Sequence, residues 1–135
     1  MATRTHAREA VIALLYAYQS GNAGTLDFAS NFLESRKIKN KQKDFALGLF
    51  SGIIEHLQDI DLSLSQNLKE WDFNRLGQME KSILRLGAYE IVYTSTDTPV
   101  VINEAIRLAK NYGDDNASKL INAVLDKLDK TKGAS

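Results

Sequence analysis

Apolar residues recur at intervals of three and four along almost the whole chain, whereas the strict alternation of a half-buried strand is hard to find. At residues 5–19 and again at residues 116–128, this spacing gathers the apolar side chains on one face of a helix. Short connections separate six or seven such segments. The pattern therefore predicts an all-α protein, a compact bundle of six to seven helices. The apolar face of the first segment consists of Ala7, Ala10, Val11, Leu14, Leu15 and Tyr18.

Residues that cap or break helices mark the ends of the first segments. Gly21 is expected to close the first helix, and Thr25 is placed to cap the second. A basic connector follows at residues 36–43, with little to bury. The long segment that begins at residue 44 is predicted to form two helices with a bend near residues 59–61.

The second half of the chain carries similar signals. Asn74 is expected to cap the next helix, Pro99 to lie in the first turn of the one after it, and Gly113 to end that helix. Residues 1–131 are expected to form a single helical domain, followed by a disordered tail at residues 132–135.

Charge and cysteine usage bound the class of protein. The chain has no cysteine, which excludes disulfides and suits the cytoplasm, and no apolar run approaches the length of a membrane span. The formal net charge is zero, yet residues 1–43 hold seven Lys and Arg against three acidic residues, a balance of +4. This basic third could meet a phosphate backbone, although such asymmetry also arises by chance.

Reactive groups do not assemble into a recognisable catalytic pattern. His6 and His56 are the only histidines, and neither has a metal-ligand partner at helical spacing. Glu55, Asp59 and Asp61 could form an acid–base pair or bind a hard cation, but solvated charges on a polar helix face are the more common outcome. No glycine-rich phosphate loop is present. The sequence therefore predicts a protein that is not an enzyme, with no catalytic residue, metal or cofactor.

Binding signals are stronger and begin at the first helix. Arg4 and Arg8 lie one turn apart at its N-terminus, where the helix dipole already carries partial positive charge and favours an anion. Tyr16 lies on the outer face of the same helix, and an aromatic side chain beside cations is typical of surfaces that stack single-stranded nucleic acid. A solubilising turn and a packed tyrosine remain the alternative. The lysine-rich residues 36–43 rank below this cluster, because lysine makes point-charge contacts without base readout.

Long motifs in the second half resemble the NusB family of transcription antitermination factors. These are LGQMEKSILRLGAYEIVY, at residues 76–93, and TPVVINEAIRLAKNYGDDNASKLINAVLDKL, at residues 98–128. Asp61, Trp71 and Arg75 fit the same family, as does the stretch that begins ARE at residue 7. The resemblance covers essentially the whole chain.

The resemblance implies a fold of two packed halves and a function without catalysis. Proteins of this family bind the boxA element of nascent ribosomal RNA transcripts together with the ribosomal protein NusE. That heterodimer joins NusA, NusG and RNA polymerase to suppress termination. Whether the chain is a monomer or a homodimer is left open by its sequence.

The resemblance also implies which residues contact RNA. Family members often carry three or four arginines at the N-terminus, where this chain keeps Arg4 and Arg8 with Thr5 and His6 between them. Lys41 and Lys43 are offered as compensating cations. The full set of RNA-binding candidates is Arg4, His6, Arg8, Tyr16, Gln78, Lys81 and Lys119.

Other residues of the motifs are interpreted as structural. Trp71, Arg75 and Tyr89 are expected to stabilise the fold, and Asn103 and Asn122 to satisfy buried backbone groups. Asp114 and Asp115 are expected to repel an RNA strand.

Two alternatives to RNA-binding antitermination remain. One is a protein-interaction module whose basic cluster binds an acidic surface. The other is a helical domain related to those carried by RNA cytosine methyltransferases.

Overall fold

The computed structural model describes residues 3–21, 26–68, 73–111 and 115–133. Across these ranges the chain forms seven α-helices and one 3₁₀ turn, with no strand, which confirms the all-α prediction. The chain divides into two compact units, residues 1–55 with the first three helices and residues 56–135 with the remaining four. The helices are α1 Arg4–Gln19, α2 Leu26–Ser35, α3 Asn40–Glu55, α4 Leu57–Gln66, α5 Gln78–Tyr93, α6 Thr98–Asn111 and α7 Asp115–Gly133, and the 3₁₀ turn is Phe73–Arg75.

In the first unit, α3 packs against both α1 and α2. The apolar face predicted for α1 is buried, apart from the half-buried Tyr18, and Phe50 and Ile53 of α3 are buried as well. Burying one large aliphatic or aromatic side chain contributes about 1.5–3 kcal/mol, so this core fixes where the polar face of each helix lies.

A tight corner joins α2 to α3. The Lys37 N–H donates to the carbonyl of Glu34 and the Ile38 N–H to the carbonyl of Leu33, both at 2.9 Å, and Lys37 has a φ of 62°. These two bonds form a Schellman motif, whose left-handed position usually holds glycine. Ile38 and Leu33 are both buried, which supplies the apolar contact of that motif.

The corner is shorter than the basic connector predicted at residues 36–43. Helix α3 begins at Asn40 rather than at Asp44. Lysine and glutamine are good helix formers, so the first turn of α3 is helical although it is polar and the buried residues begin only at Ala46. A polar first turn contains no apolar residue to mark it, which explains why this helix was predicted to begin four residues too late.

In the second unit, α5 packs against α4, α6 and α7. Gly87 allows the close approach of α5 to α7, because a Cβ atom at this position would lie 2.8 Å from Leu125 Cδ1. Across α4 and α5, Arg85 forms a bidentate ion pair with Asp61, with Nε–Oδ1 at 2.8 Å and Nη2–Oδ2 at 2.9 Å. Asp61 therefore anchors a buried arginine and is neither an acid–base group nor a free surface charge.

Several predicted boundaries in the second unit were wrong. The helix break falls at His56 and not at residues 59–61. Asn74 lies in the 3₁₀ turn, and α5 is capped instead at Gly77, whose N–H donates to Glu80 Oε2 at 2.9 Å. Pro99 does lie in the first turn of α6, and α7 continues to Gly133, beyond its predicted end.

Asn103 and Asn122 were expected to satisfy buried backbone groups, but both are exposed. They lie on the solvent sides of α6 and α7, because the apolar period of those helices turns other residues inward. Arg75, also expected to be structural, is exposed.

Thr25, Trp71, Gly113 and Asp114 lie outside the described residues, as do residues 134–135 of the predicted tail and the side chain of Asp115. Among the described helices, none is long and apolar enough to cross a membrane.

Candidate nucleic-acid interface

The first turn of α1 is closed by a reciprocal cap. The His6 N–H donates to Thr3 Oγ1 at 3.2 Å, and the Thr3 N–H donates to His6 Nδ1 at 3.1 Å. Here histidine occupies the position that glutamate or glutamine holds in an ordinary capping box. His6 is exposed, and its Nδ1 atom stabilises the start of the helix.

Both arginines of the predicted anion site are placed by an aromatic ring from another helix. The guanidinium carbons of Arg4 and Arg8 lie 4.6 Å and 5.3 Å from the centroid of the Phe45 ring of α3. A guanidinium is attracted to the negative face of an aromatic ring. This contact explains how two cations are tolerated in a first turn that contains no acidic residue.

The two arginines differ in what they present to a ligand. Arg4 is exposed, whereas only 3% of Arg8 is exposed. A guanidinium as buried as that of Arg8 contributes its field and its packing more than a direct contact. Of the two, Arg4 is the arginine that a phosphate group reaches from solvent.

Tyr16 is 44% exposed, as its place on the outer face of α1 predicted. It follows Arg4 by twelve residues, which corresponds to about 18 Å along the helix axis. A ligand that contacts both side chains must therefore be extended, as a nucleic-acid strand is.

Of the two compensating cations proposed from the sequence, only one keeps its charge available. Lys43 Nζ lies 2.9 Å from Glu34 Oε1, and this hydrogen bond with the lysine charge holds the pKa of the Glu34 carboxyl below its ordinary value. Lys41 is exposed and precedes Phe45 by one turn of α3, so it lies on the same side of that helix. Lys41 is thus an exposed cation on the side of α3 that carries Phe45, the ring that holds Arg4.

The remaining candidates belong to the second unit. Lys81 Nζ lies 5.5 Å from the centroid of the Phe73 ring, and Lys119 is exposed near the start of α7. Gln78 opens α5, and its buried Oε1 accepts no hydrogen bond from any described residue. The structure thus gives each unit its own group of candidates, four in the first and three in the second.

Two aromatic residues that the sequence did not single out organise these groups. Phe45 holds Arg4 and Arg8, and the guanidinium of Arg85 lies 5.3 Å from the Phe73 ring that Lys81 also faces. In both cases the cations are four residues apart near the start of a helix, and the second of each pair is buried. The spacing was visible in the sequence, but the rings that the cations face belong to other elements, α3 for the first pair and the 3₁₀ turn for the second.

An aromatic cluster forms a separate feature of the second unit. The ring centroids of His56 and Tyr93 are 4.3 Å apart, and those of Tyr89 and Tyr93 are 5.2 Å apart. Burial raises the pKa of the Tyr93 hydroxyl, and the negative charge of Asp59 and the neighbouring Tyr89 add to the effect. The half-buried Tyr89 packs in this cluster, as its interpretation as a structural residue predicted.

Comparison with known proteins yields one family. The model of the NusB family matches residues 5–130. The chain is 61% identical over 131 residues to the transcription antitermination protein NusB of Helicobacter hepaticus, covering 96% of this chain and 83% of that protein. It is 55% identical over 128 residues to the protein of the same name from Wolinella succinogenes, covering 95% of each.

Solved structures give the same result. The chain is similar to NusB of T. maritima, with a TM-score of 0.82 and 32% identity over 96% of this chain and 92% of that one. It is also similar to a chain in the crystal structure of the antitermination factors NusB and NusE in complex with double-stranded RNA. The TM-score there is 0.85, with 28% identity over 95% of this chain and 96% of that one.

Proposed function

The chain belongs to the NusB family, and we propose that it is an RNA-binding transcription antitermination factor. The observation that carries this function is the near-full-length identity with relatives named transcription antitermination protein. Its ligand is the boxA element of nascent ribosomal RNA transcripts, bound together with the ribosomal protein NusE. The complex acts with NusA, NusG and RNA polymerase in the cytoplasm to suppress termination.

The first unit supplies the electrostatic part of RNA binding. An RNA phosphate beside Arg4 completes a helix end that has the dipole, the amides and the cations but no acidic residue of its own. The Phe45 ring holds Arg4 in place before the RNA arrives, so less side-chain entropy is lost on binding. Lys41 adds a second accessible charge from α3.

The other candidates extend the contact. Tyr16 offers an exposed ring on which an RNA base stacks, and His6 lies between Arg4 and Arg8 in sequence with its ring at the surface. Gln78, Lys81 and Lys119 supply contacts from the second unit. Residues 1–131 then act as one RNA-binding domain that performs no catalysis.

Fluorescence anisotropy tests this function. A labelled single strand containing boxA is compared with a scrambled strand, with and without NusE, at several salt concentrations. We expect preference for the boxA strand, strengthened by NusE. The absence of binding to either strand at low salt, even with NusE, would refute RNA binding and favour the protein-interaction alternative.

A pair of matched variants tests the site. Arg4→Gln removes an exposed arginine of α1, and Arg107→Gln removes an exposed arginine of α6. Each phosphate contact contributes about −0.7 to the log–log salt slope for single-stranded RNA, so Arg4→Gln should make the slope shallower by about that amount. Arg107→Gln should leave it unchanged. Equal effects of the two variants would show that only net charge matters.

A further inference from the structure

A line of aromatic and basic side chains follows one side of α2. The Phe28 ring is 47% exposed and lies parallel to the ring of Phe32, with centroids 6.4 Å apart and an interplanar angle of 17°. The guanidinium carbon of Arg36 lies 4.7 Å from the Phe32 centroid. The three residues are spaced by four, so one face of the helix presents them in a row. We call Phe28, Phe32 and Arg36 the α2 stripe.

The corner that follows the stripe continues its positive charge. Lys37 occupies the left-handed position of the Schellman motif, at a φ of 62°, where glycine would be less strained. Lys37, Lys39 and Lys41 are all exposed. The chain thus carries a cation at a position where the backbone favours a residue without a side chain, and strained positions of this kind are common at functional surfaces.

Neighbouring carboxylates do not cancel this charge. Residues 34–44 contain five basic residues and two acidic ones. Glu34 is paired with Lys43. Asp44 is the other carboxylate of this range, and it is exposed. The surface that begins at Arg36 is therefore positively charged where it is most exposed.

The combination of the exposed Phe28 ring with exposed cations fits one kind of ligand. Flat aromatic faces bind unstacked bases, and interspersed cations follow a phosphate backbone, which together are typical of surfaces for single-stranded nucleic acid. A duplex keeps its bases stacked inside and offers nothing to Phe28. A wholly apolar partner would meet only two rings, since Asn31 and Ser35 on the same helix are polar and exposed.

The position of the stripe connects it to the site at Arg4. Lys41 lies one turn before Phe45, the ring that holds Arg4, and Lys37 and Lys39 lie between Lys41 and the end of α2. All these residues belong to the first unit. A strand bound at Arg4 can therefore pass Lys41 and the corner before it reaches Phe32.

We propose that the α2 stripe and the corner lysines form a second RNA-binding surface, which takes single-stranded RNA flanking the segment bound at Arg4. A base of the flanking RNA stacks on the exposed Phe28 ring, which Phe32 supports from behind, and the phosphates are bound by Arg36, Lys37 and Lys39. This surface lengthens the RNA footprint of the protein and rests on the proposed function.

The test compares three labelled RNAs by fluorescence anisotropy with the full chain and NusE. The first is the boxA strand alone. The second carries an extension of about eight nucleotides, within the span that single-strand-binding surfaces cover. The third carries an extension of the same length made of abasic ribose phosphates, which keeps the phosphates and removes the bases. The extensions are placed at either end in turn.

Two variants separate stacking from charge. Phe28→Ala removes an exposed ring, and Lys37→Gly removes a cation while relaxing the backbone, so neither is expected to unfold the protein. Wild-type protein should bind the base-bearing extension roughly fivefold or more tightly than boxA alone, as expected for one or more stacked bases. Phe28→Ala should lose that gain without weakening binding to the abasic RNA. Lys37→Gly should weaken binding to both extended RNAs and make the salt slope shallower by about 0.7.

The control is Lys110→Gln, which removes an exposed cation of α6 and should leave every affinity unchanged. The second surface would be overturned if neither extension increased affinity, or if Phe28→Ala bound all three RNAs as the wild type does. Loss of NusE binding by these variants, with RNA binding intact, would make the stripe a protein contact and also overturn it. If the wild type failed to bind boxA itself, the proposed function would fail first, which distinguishes the two failures.

Discussion

Replacing Phe45 with leucine tests the central feature of the first unit, the ring that holds two arginines. Leucine keeps an apolar side chain at this half-buried position and removes the aromatic face. The contact with the exposed Arg4 is worth about 0.5–1 kcal/mol, and that with the buried Arg8 about 2 kcal/mol. We therefore expect Phe45→Leu to lower the free energy of unfolding by about 3 kcal/mol and the melting temperature by roughly 10 °C.

The same substitution should weaken RNA binding without removing any charge. Once the ring is gone, Arg4 must be ordered by the RNA itself, which costs about 0.5–1.5 kcal/mol for one long side chain. The expected loss of affinity is then about two- to tenfold. Anisotropy is measured at a temperature well below the melting point of the variant, so that unfolding does not enter the result.

A double-mutant cycle provides the control. Arg4→Gln and Phe45→Leu are measured singly and together, and the coupling energy in stability should be about 0.5–1 kcal/mol. A variant Phe45→Leu that melts at the wild-type temperature would refute the role of the ring in stability. Additive effects of the two substitutions on RNA affinity would refute its role in placing Arg4.

Three other outcomes follow from contacts in the two units. Asp61→Asn leaves the buried Arg85 without its carboxylate and should lower the free energy of unfolding by about 3 kcal/mol in a urea titration; a loss below about 0.5 kcal/mol would contradict the buried pair. Gly87→Ala should lower the free energy of unfolding by about 1–2 kcal/mol, because the new Cβ would lie 2.8 Å from Leu125 Cδ1. An increase instead would show that α7 moves away at little cost and that the higher helix propensity of alanine outweighs the close contact. The pKa of Glu34 is lowered from 4.5 by its lysine partner, so the ion pair stabilises the fold above that pH and is lost as pH falls through the lowered pKa. Carboxyl NMR of the wild type should show that lowered pKa, and Lys43→Gln should raise the pKa of Glu34 toward its ordinary value.

Apolar periodicity predicted the helices well where a helix buries one continuous face. The first helix was expected at residues 5–19 and is found at Arg4–Gln19, because its apolar residues recur from Ala7 to Tyr18 and so mark each end to within one turn. The predicted start of α3 and the predicted break before α4 were wrong. The first turn of α3 consists of polar Asn, Lys and Gln residues, and the break at His56 interrupts a period that otherwise continues through both neighbouring helices.

The candidate site was predictable in composition but not in geometry. The spacing of Arg4 and Arg8 placed both on one side of α1, which the structure confirms, since both face Phe45. The burial of Arg8 depends on how α1 packs on α3, and no local pattern encodes such a contact between distant segments. His6 shows the same limit, because its role in the cap depends on a hydrogen bond that a histidine rarely makes at that position.

The group that holds each cation determines whether its positive charge remains available to a ligand. Lys43 and Arg85 are held by carboxylates, so each is fixed and neutralised by the same contact. Arg4 is held by an uncharged ring, so it is fixed while its full positive charge still faces solvent. Ionic strength then affects the two contacts of Arg4 unequally, the one with an RNA phosphate and the one with the Phe45 ring. Salt that screens the attraction between Arg4 and a phosphate leaves the contact between Arg4 and the ring largely intact. After the RNA dissociates, Arg4 is therefore still held in place for binding the next transcript.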